Sequence, residues 1–155
     1  MRINGIERGS MTPEKQQEIL RTIGSGILSN APEGWDRIIF STKSTVDMGT
    51  SIAIAEFKDG STERFGAGTM AIISLGKLRT GMYVEGKGTW FSLEYTITRP
   101  GNFTVNYNYD EDPGLTFATD QAFTNDLKYF PRDPENIPGW LQERLREEAE
   151  GTDMR

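Results

Sequence analysis

Cysteine and histidine are both absent from this chain of 155 residues. Without cysteine there is no disulfide, no thiolate nucleophile and no cysteine-ligated metal. Without histidine the usual general base at neutral pH, the usual zinc ligand and the base of a Ser-His-Asp triad are gone. Carboxylate chemistry and lysine-activated serine chemistry are what such a composition leaves open to an enzyme. No run of roughly 18 apolar residues occurs, so no membrane-spanning helix is expected. The stretch from Met1 to Glu18 lacks the apolar core of a secretory signal, and a cytoplasmic location is the simplest expectation. Positive charge is also in short supply, with 17 Lys and Arg against 23 Asp and Glu and a formal net charge of −6. That balance opposes direct nucleic-acid binding, which runs on cations neutralising phosphates, and it favours a basic protein partner. Solubility alone accounts for the same excess of acid equally well.

What is present is concentrated in one stretch, Gly88 to Gly114. Phe91, Leu93, Tyr95 and Ile97 alternate with Trp90, Ser92, Glu94, Thr96 and Thr98. After an Arg99-Pro100-Gly101 break, Phe103, Val105, Tyr107 and Tyr109 alternate with Asn102, Thr104, Asn106, Asn108 and Asp110. Period-two alternation on both sides of a turn predicts a β-hairpin with one apolar and one polar face. Phe91, Tyr95, Phe103, Tyr107 and Tyr109 are expected inward. Trp90, out of phase with them, is expected on the polar face, where an exposed tryptophan serves as an interface anchor. The hairpin runs directly into Asp110-Glu111-Asp112.

The rest of the chain supplies helices and further strands. Thr12-Pro13-Glu14 reads as a helix start, followed by Ile19, Leu20, Ile23 and Ile27 at helical spacing. Gly24 and Gly26 weaken that helix by up to ~1 kcal/mol each. Strands are expected over Trp35 to Thr42, Ser51 to Phe57 and, after an Asp59-Gly60 turn, Thr62 to Phe65. Ala71, Leu75, Leu78 and Met82 predict a helix between Gly68 and Met82. Shorter helices are expected around Thr119 to Leu127 and after a cap at Asn136, with Trp140, Leu141 and Leu145 inward. Arg144 and Glu148 are spaced for an i, i+4 pair. The sum is a single α+β domain over residues 12–149, between a flexible leader (1–11) and a frayed tail (150–155). It holds an antiparallel sheet of four to five strands with helices mainly on one face, in the order α-β-β-(β)-α-β-β-α-α.

Tests for chemistry return little. Gly24-Ser25-Gly26, Gly66-Ala67-Gly68 and Gly86-Lys87-Gly88 lack the lysine and hydroxyl that a P-loop needs. Pro113 and Gly114 cut off the acidic run before it can supply the oxygens of a calcium loop. Glu94 and Asp110 are the carboxylates that could be set against each other across a sugar.

Pro32-Glu33-Gly34-Trp35 before the first strand, the Asp-Gly turn, and the Trp90 to Leu93 strand paired with Phe103 to Asp110 together resemble the YezG-type immunity proteins of bacterial polymorphic toxin systems. Asp126 to Pro131 and the following Trp140 add to the likeness, which spans roughly residues 12 to 145. Asn106 and Asn108 stand where relatives often carry acids between the tyrosines. The resemblance implies a small cytoplasmic protein that neutralises a cognate toxin domain, often a nuclease, by binding it without catalysis; the free chain is expected to be a monomer. The expected contacts are Trp90, Glu94, Asp110, Glu111 and Asp112, with no catalytic, cofactor or metal residues assigned. Two other readings stay open: a carboxylate-dependent enzyme acting on a glycan or small molecule, and an adaptor that self-associates through its sheet edges.

Overall fold

The computed structural model describes residues 2–3, 5–115 and 121–153. The architecture is α+β. β1 (Arg2–Ile3) and β2 (Ile6–Glu7) form a small antiparallel ladder. They are followed by α1 (Pro13–Asn30), β3 (Arg37–Ser44), β4 (Gly49–Glu56), β5 (Thr62–Phe65) and α2 (Thr69–Gly81). The hairpin of β6 (Ser92–Thr98) and β7 (Asn102–Asn108) comes next. α3 (Ala122–Tyr129), a 3-10 turn (Pro134–Asn136) and α4 (Gly139–Asp153) complete the order. The main sheet is antiparallel throughout, in the order β5-β4-β3-β6-β7.

α1 starts as its sequence dictates: the Thr12 hydroxyl accepts from Lys15 N and Pro13 occupies the first turn. Ile19, Leu20, Ile23 and Ile27 bury against the sheet beside Ala71, Leu75 and Leu78 of α2. Ile38 and Phe40 of β3, Ala53 and Ala55 of β4, and Leu93, Tyr95 and Ile97 of β6 meet them from below. The two glycines of α1 have a packing reason. A Cβ at Gly24 would collide with the Tyr95 hydroxyl, which donates to Leu20 O at 2.8 Å. A Cβ at Gly26 would press on Ala71 and on the Ala67 carbonyl.

Three expectations change. In its described residues the segment read as a flexible leader is tied down. Gly9 N donates to Thr80 O, Met11 N donates to Gly81 O, and Arg8 lies 4.8 Å over the Tyr83 ring. Asn136 does not cap the last helix. It ends the 3-10 turn and its side chain donates to Gly86 O, while α4 begins three residues later, after Pro138. α4 also continues to Asp153, into the stretch read as frayed. Of the helix expected from Thr119, its first two residues lie outside the described residues, and the described part begins at Ala122.

A second apolar cluster sits at the end of the sheet where the β3–β4 turn, the start of β6 and the segment after β7 meet. Phe91, Leu115, Ala122, Phe123 and Leu141 are buried there, with Met48, Trp140 and Leu145 against them. Glu148 of α4 caps α3: its carboxylate accepts from Phe123 N, Thr124 N and the Thr124 hydroxyl at 2.7–3.0 Å.

Candidate partner-binding surface

Trp90 is fully buried, which corrects its expected place on the polar face. The reason is a slip of strand phase. Phe91 N donates to Asn108 O, although the ladder partner of Asn108 is Ser92. Two residues therefore oppose one, as in a β-bulge, and alternation resets between Phe91 and Leu93. Trp90 turns into the main core, 6.2 Å from the Tyr107 ring, while Phe91 turns into the second cluster against Phe123 and Trp140.

Glu94 is where the alternation puts it, exposed on the open face between Ser41 and Asn106. That face also carries Arg37, Lys43 and Arg64 against Glu56 and Glu94, with Arg37 bonded to Glu56 at 2.7 Å. It is balanced in charge and not acidic. Asp110 lies past the end of β7 and bonds elsewhere, so Glu94 and Asp110 are not brought together as a carboxylate pair.

The acidic corner is built on a buried arginine. Asn108 ends β7 in a side-chain turn, accepting from Glu111 N and donating to Glu111 O. Arg132 lies beneath, its side chain 1% exposed, and donates to Asp110 Oδ1 (3.1 Å), Asn136 O (3.1 Å) and Tyr109 O (2.5 Å). Burial holds the pKa of this guanidinium below its ordinary value, with its hydrogen bond to Asp110 opposing only in part. The Trp140 indole N–H donates to Asp110 O at 2.7 Å. Asp112 accepts from Gly114 N and stands 3.9 Å from Arg144.

The outer surface keeps its negative charge. The Asp110 side chain is 76% exposed despite its bond to Arg132, and Glu111 and Asp112 are exposed. The 3-10 turn that Arg132 ties to Asp110 adds Asp133 and Glu135, both exposed. Among the described residues no group of three or more acidic side chains converges as a cation site. The corner is therefore a ridge of separate carboxylates on a fixed base.

Neither a family model nor a curated protein matches the chain.

Two structural cations had no sequence signal. Arg132 sits in a proline-flanked extended segment. Arg79 follows the apolar stripe of α2 and is buried, bonded to Asp126 at 2.7 and 3.0 Å and to Trp90 O at 2.8 Å. Asp126 also accepts from Val46 N. A cleft of about 450 Å³ lies between α2 and the β3–β4 turn, lined by Thr42, Thr45, Ile72, Leu75, Arg79 and Phe130 among others. Its buried cation is already committed to Asp126. Among the described residues no helix is long and apolar enough to cross a membrane.

Proposed function

We propose that this chain is an immunity protein that acts in the cytoplasm, binding a cognate toxin domain and covering its active site or substrate cleft without catalysis of its own. The observation that supports this most is the acidic corner: Asp110, Glu111, Asp112, Asp133 and Glu135 stand exposed around Arg132, whose own charge stays below the surface. A fixed anionic ridge suits a basic cleft, such as one that holds a nucleic-acid backbone, and it steers association. Because the corner is already held by Arg132, Trp140 and Asn108, docking need not freeze it, which lowers the ordering cost of binding. The hairpin motifs that resemble YezG-type immunity proteins point the same way.

The test is co-purification with the product of the neighbouring gene, inactivated by mutation, followed by association kinetics at several salt concentrations. Glu111→Lys with Glu135→Lys is the informative variant, since both side chains are exposed. The association rate is expected to fall roughly ten-fold or more and to lose its salt dependence. Asp110→Lys is the wrong probe, because it sets a second cation against buried Arg132 and weakens the fold. Unchanged kinetics in the double variant would remove the corner from the interface.

A further inference from the structure

β7 ends the sheet with no described strand on its outer side. The opposite edge, β5, is a four-residue strand bearing Glu63 and Arg64. β7 is seven residues long, Asn-Phe-Thr-Val-Asn-Tyr-Asn, with neither charge nor proline. The usual devices that blunt an edge against pairing are missing from it.

Its free groups can be assigned. Asn108 turns its carbonyl to Phe91, and at the other end of the ladder Thr98 O accepts from Gly101 N. Backbone direction alternates along an antiparallel strand. The even-numbered residues of β7 therefore face β6, and the N–H and C=O groups of Phe103, Val105 and Tyr107 face outward. The side chains of those three residues lie on the inner face and are only partly buried. Phe103 stacks on Tyr95 at 5.0 Å, and Gln16 donates to the Tyr107 hydroxyl at 3.2 Å, so the strand is fixed in place before anything pairs with it. α1 is seated over Tyr95 of β6 and reaches β7 through Gln16 on the inner face.

The strand is also chemically symmetric about its centre. Read outward from Val105, Thr104 matches Asn106, Phe103 matches Tyr107 and Asn102 matches Asn108. We infer that the occupant of this edge is a second copy of the chain, its β7 antiparallel to the first across a two-fold axis at Val105. In that register every outward N–H and C=O of both strands is paired, Phe103 of each copy lies beside Tyr107 of the other, and valine meets valine. Such a self-complementary contact closes on itself, as two-fold interfaces do. The 5-stranded sheet becomes a continuous sheet of twice that width. Asp110 follows each strand at opposite ends of the seam, so the dimer presents two acidic corners.

The absence of cysteine makes the test clean. Val105→Cys places one thiol per chain at the axis, with Cα atoms about 5.5 Å apart as in a hydrogen-bonded antiparallel pair, within the disulfide range of roughly 4.4–6.8 Å. In a thiol–disulfide buffer it is expected to become covalent dimer almost completely, while Ser61→Cys in the exposed β4–β5 turn cross-links only by collision. Sedimentation of the unmodified chain over a concentration series should show reversible dimer. Thr104→Lys with Asn106→Lys, both exposed on the open face, should abolish it with an unchanged circular dichroism spectrum, because 104 of each copy lies opposite 106 of the other and ammonium groups would face one another across the seam. A monomer at every concentration, or equal cross-linking of the two cysteine variants, overturns the inference. So does a monomer whose β7 amides become protected only when the toxin domain is added, which would assign the edge to a strand of that partner. The cross-linking and sedimentation assays contain no toxin domain, so their outcome is separate from that of the immunity reading.

Discussion

Replacing Asp126 by asparagine preserves shape and removes one charge from the best-buried ion pair among the described residues. The Arg79 and Asp126 side chains are 5% and 2% exposed and joined by two bonds of 2.7 and 3.0 Å. Taking away one member of a buried pair leaves an uncompensated charge and costs about 3–5 kcal/mol. Against a total stability of roughly 5–15 kcal/mol for a folded domain, that is a large share. For a chain of this size the melting temperature should fall by roughly 6–20 °C. The pair also joins four segments, because Arg79 bonds Trp90 O and Asp126 accepts from Val46 N. The assay is chemical denaturation of Asp126→Asn, Arg79→Met and the double variant. The double should be less destabilised than the sum of the singles, with a coupling of about 2–3 kcal/mol. If Asp126→Asn costs less than ~1 kcal/mol and the coupling vanishes, the pair does not organise this end of the sheet.

Gly24→Ala, ordinarily a gain of up to ~1 kcal/mol in a helix, should here destabilise by about 1–3 kcal/mol, because the new methyl collides with the Tyr95 hydroxyl. Adding Tyr95→Phe should recover most of that loss in thermal melts, and failure to recover would show that the hydroxyl is not what the glycine accommodates. Burial pushes Tyr95 up to about 12 from an ordinary value of 10.0, and it raises Tyr107 and Tyr109 as well. The unfolded chain ionises first, so this stability is whole below about pH 10 and is lost as pH rises toward 12. Stability curves of the native chain should therefore fall across that window, and Tyr95→Phe should flatten the decline.

Much of the fold could be read from periodicity. The alternation of β6 and β7, the Thr12-Pro13 start of α1 and the apolar stripes of α1 and α2 place the sheet and its helical layer. The third strand at Thr62 to Phe65 and the exposed positions of Glu94, Asp110, Glu111 and Asp112 also follow from local pattern. What was illegible depends on long-range partners. Trp90 changes sides because Asn108 serves two residues of the opposing strand, which no count within β6 reveals. Arg79 and Arg132 look like surface cations until the carboxylates and carbonyls that hold them are known. Glu148, spaced for a bond to Arg144, reaches across to the start of α3. The N-terminal segment has too few apolar residues to predict order, yet its backbone bonds to the end of α2.

The bulge before β6 lets one strand serve two interiors with neighbouring aromatic rings. Trp90 belongs to the layer that α1 and α2 already seal, whereas Phe91 is covered by α3 and α4. α3 and α4 therefore work as a stopper seated on a socket. If α3 and α4 swing away, an aromatic ring is bared beside the β3–β4 turn and Arg79 loses Asp126, leaving a sticky spot beside an unpaired cation. Retention of these helices guards against clumping as much as it adds rigidity.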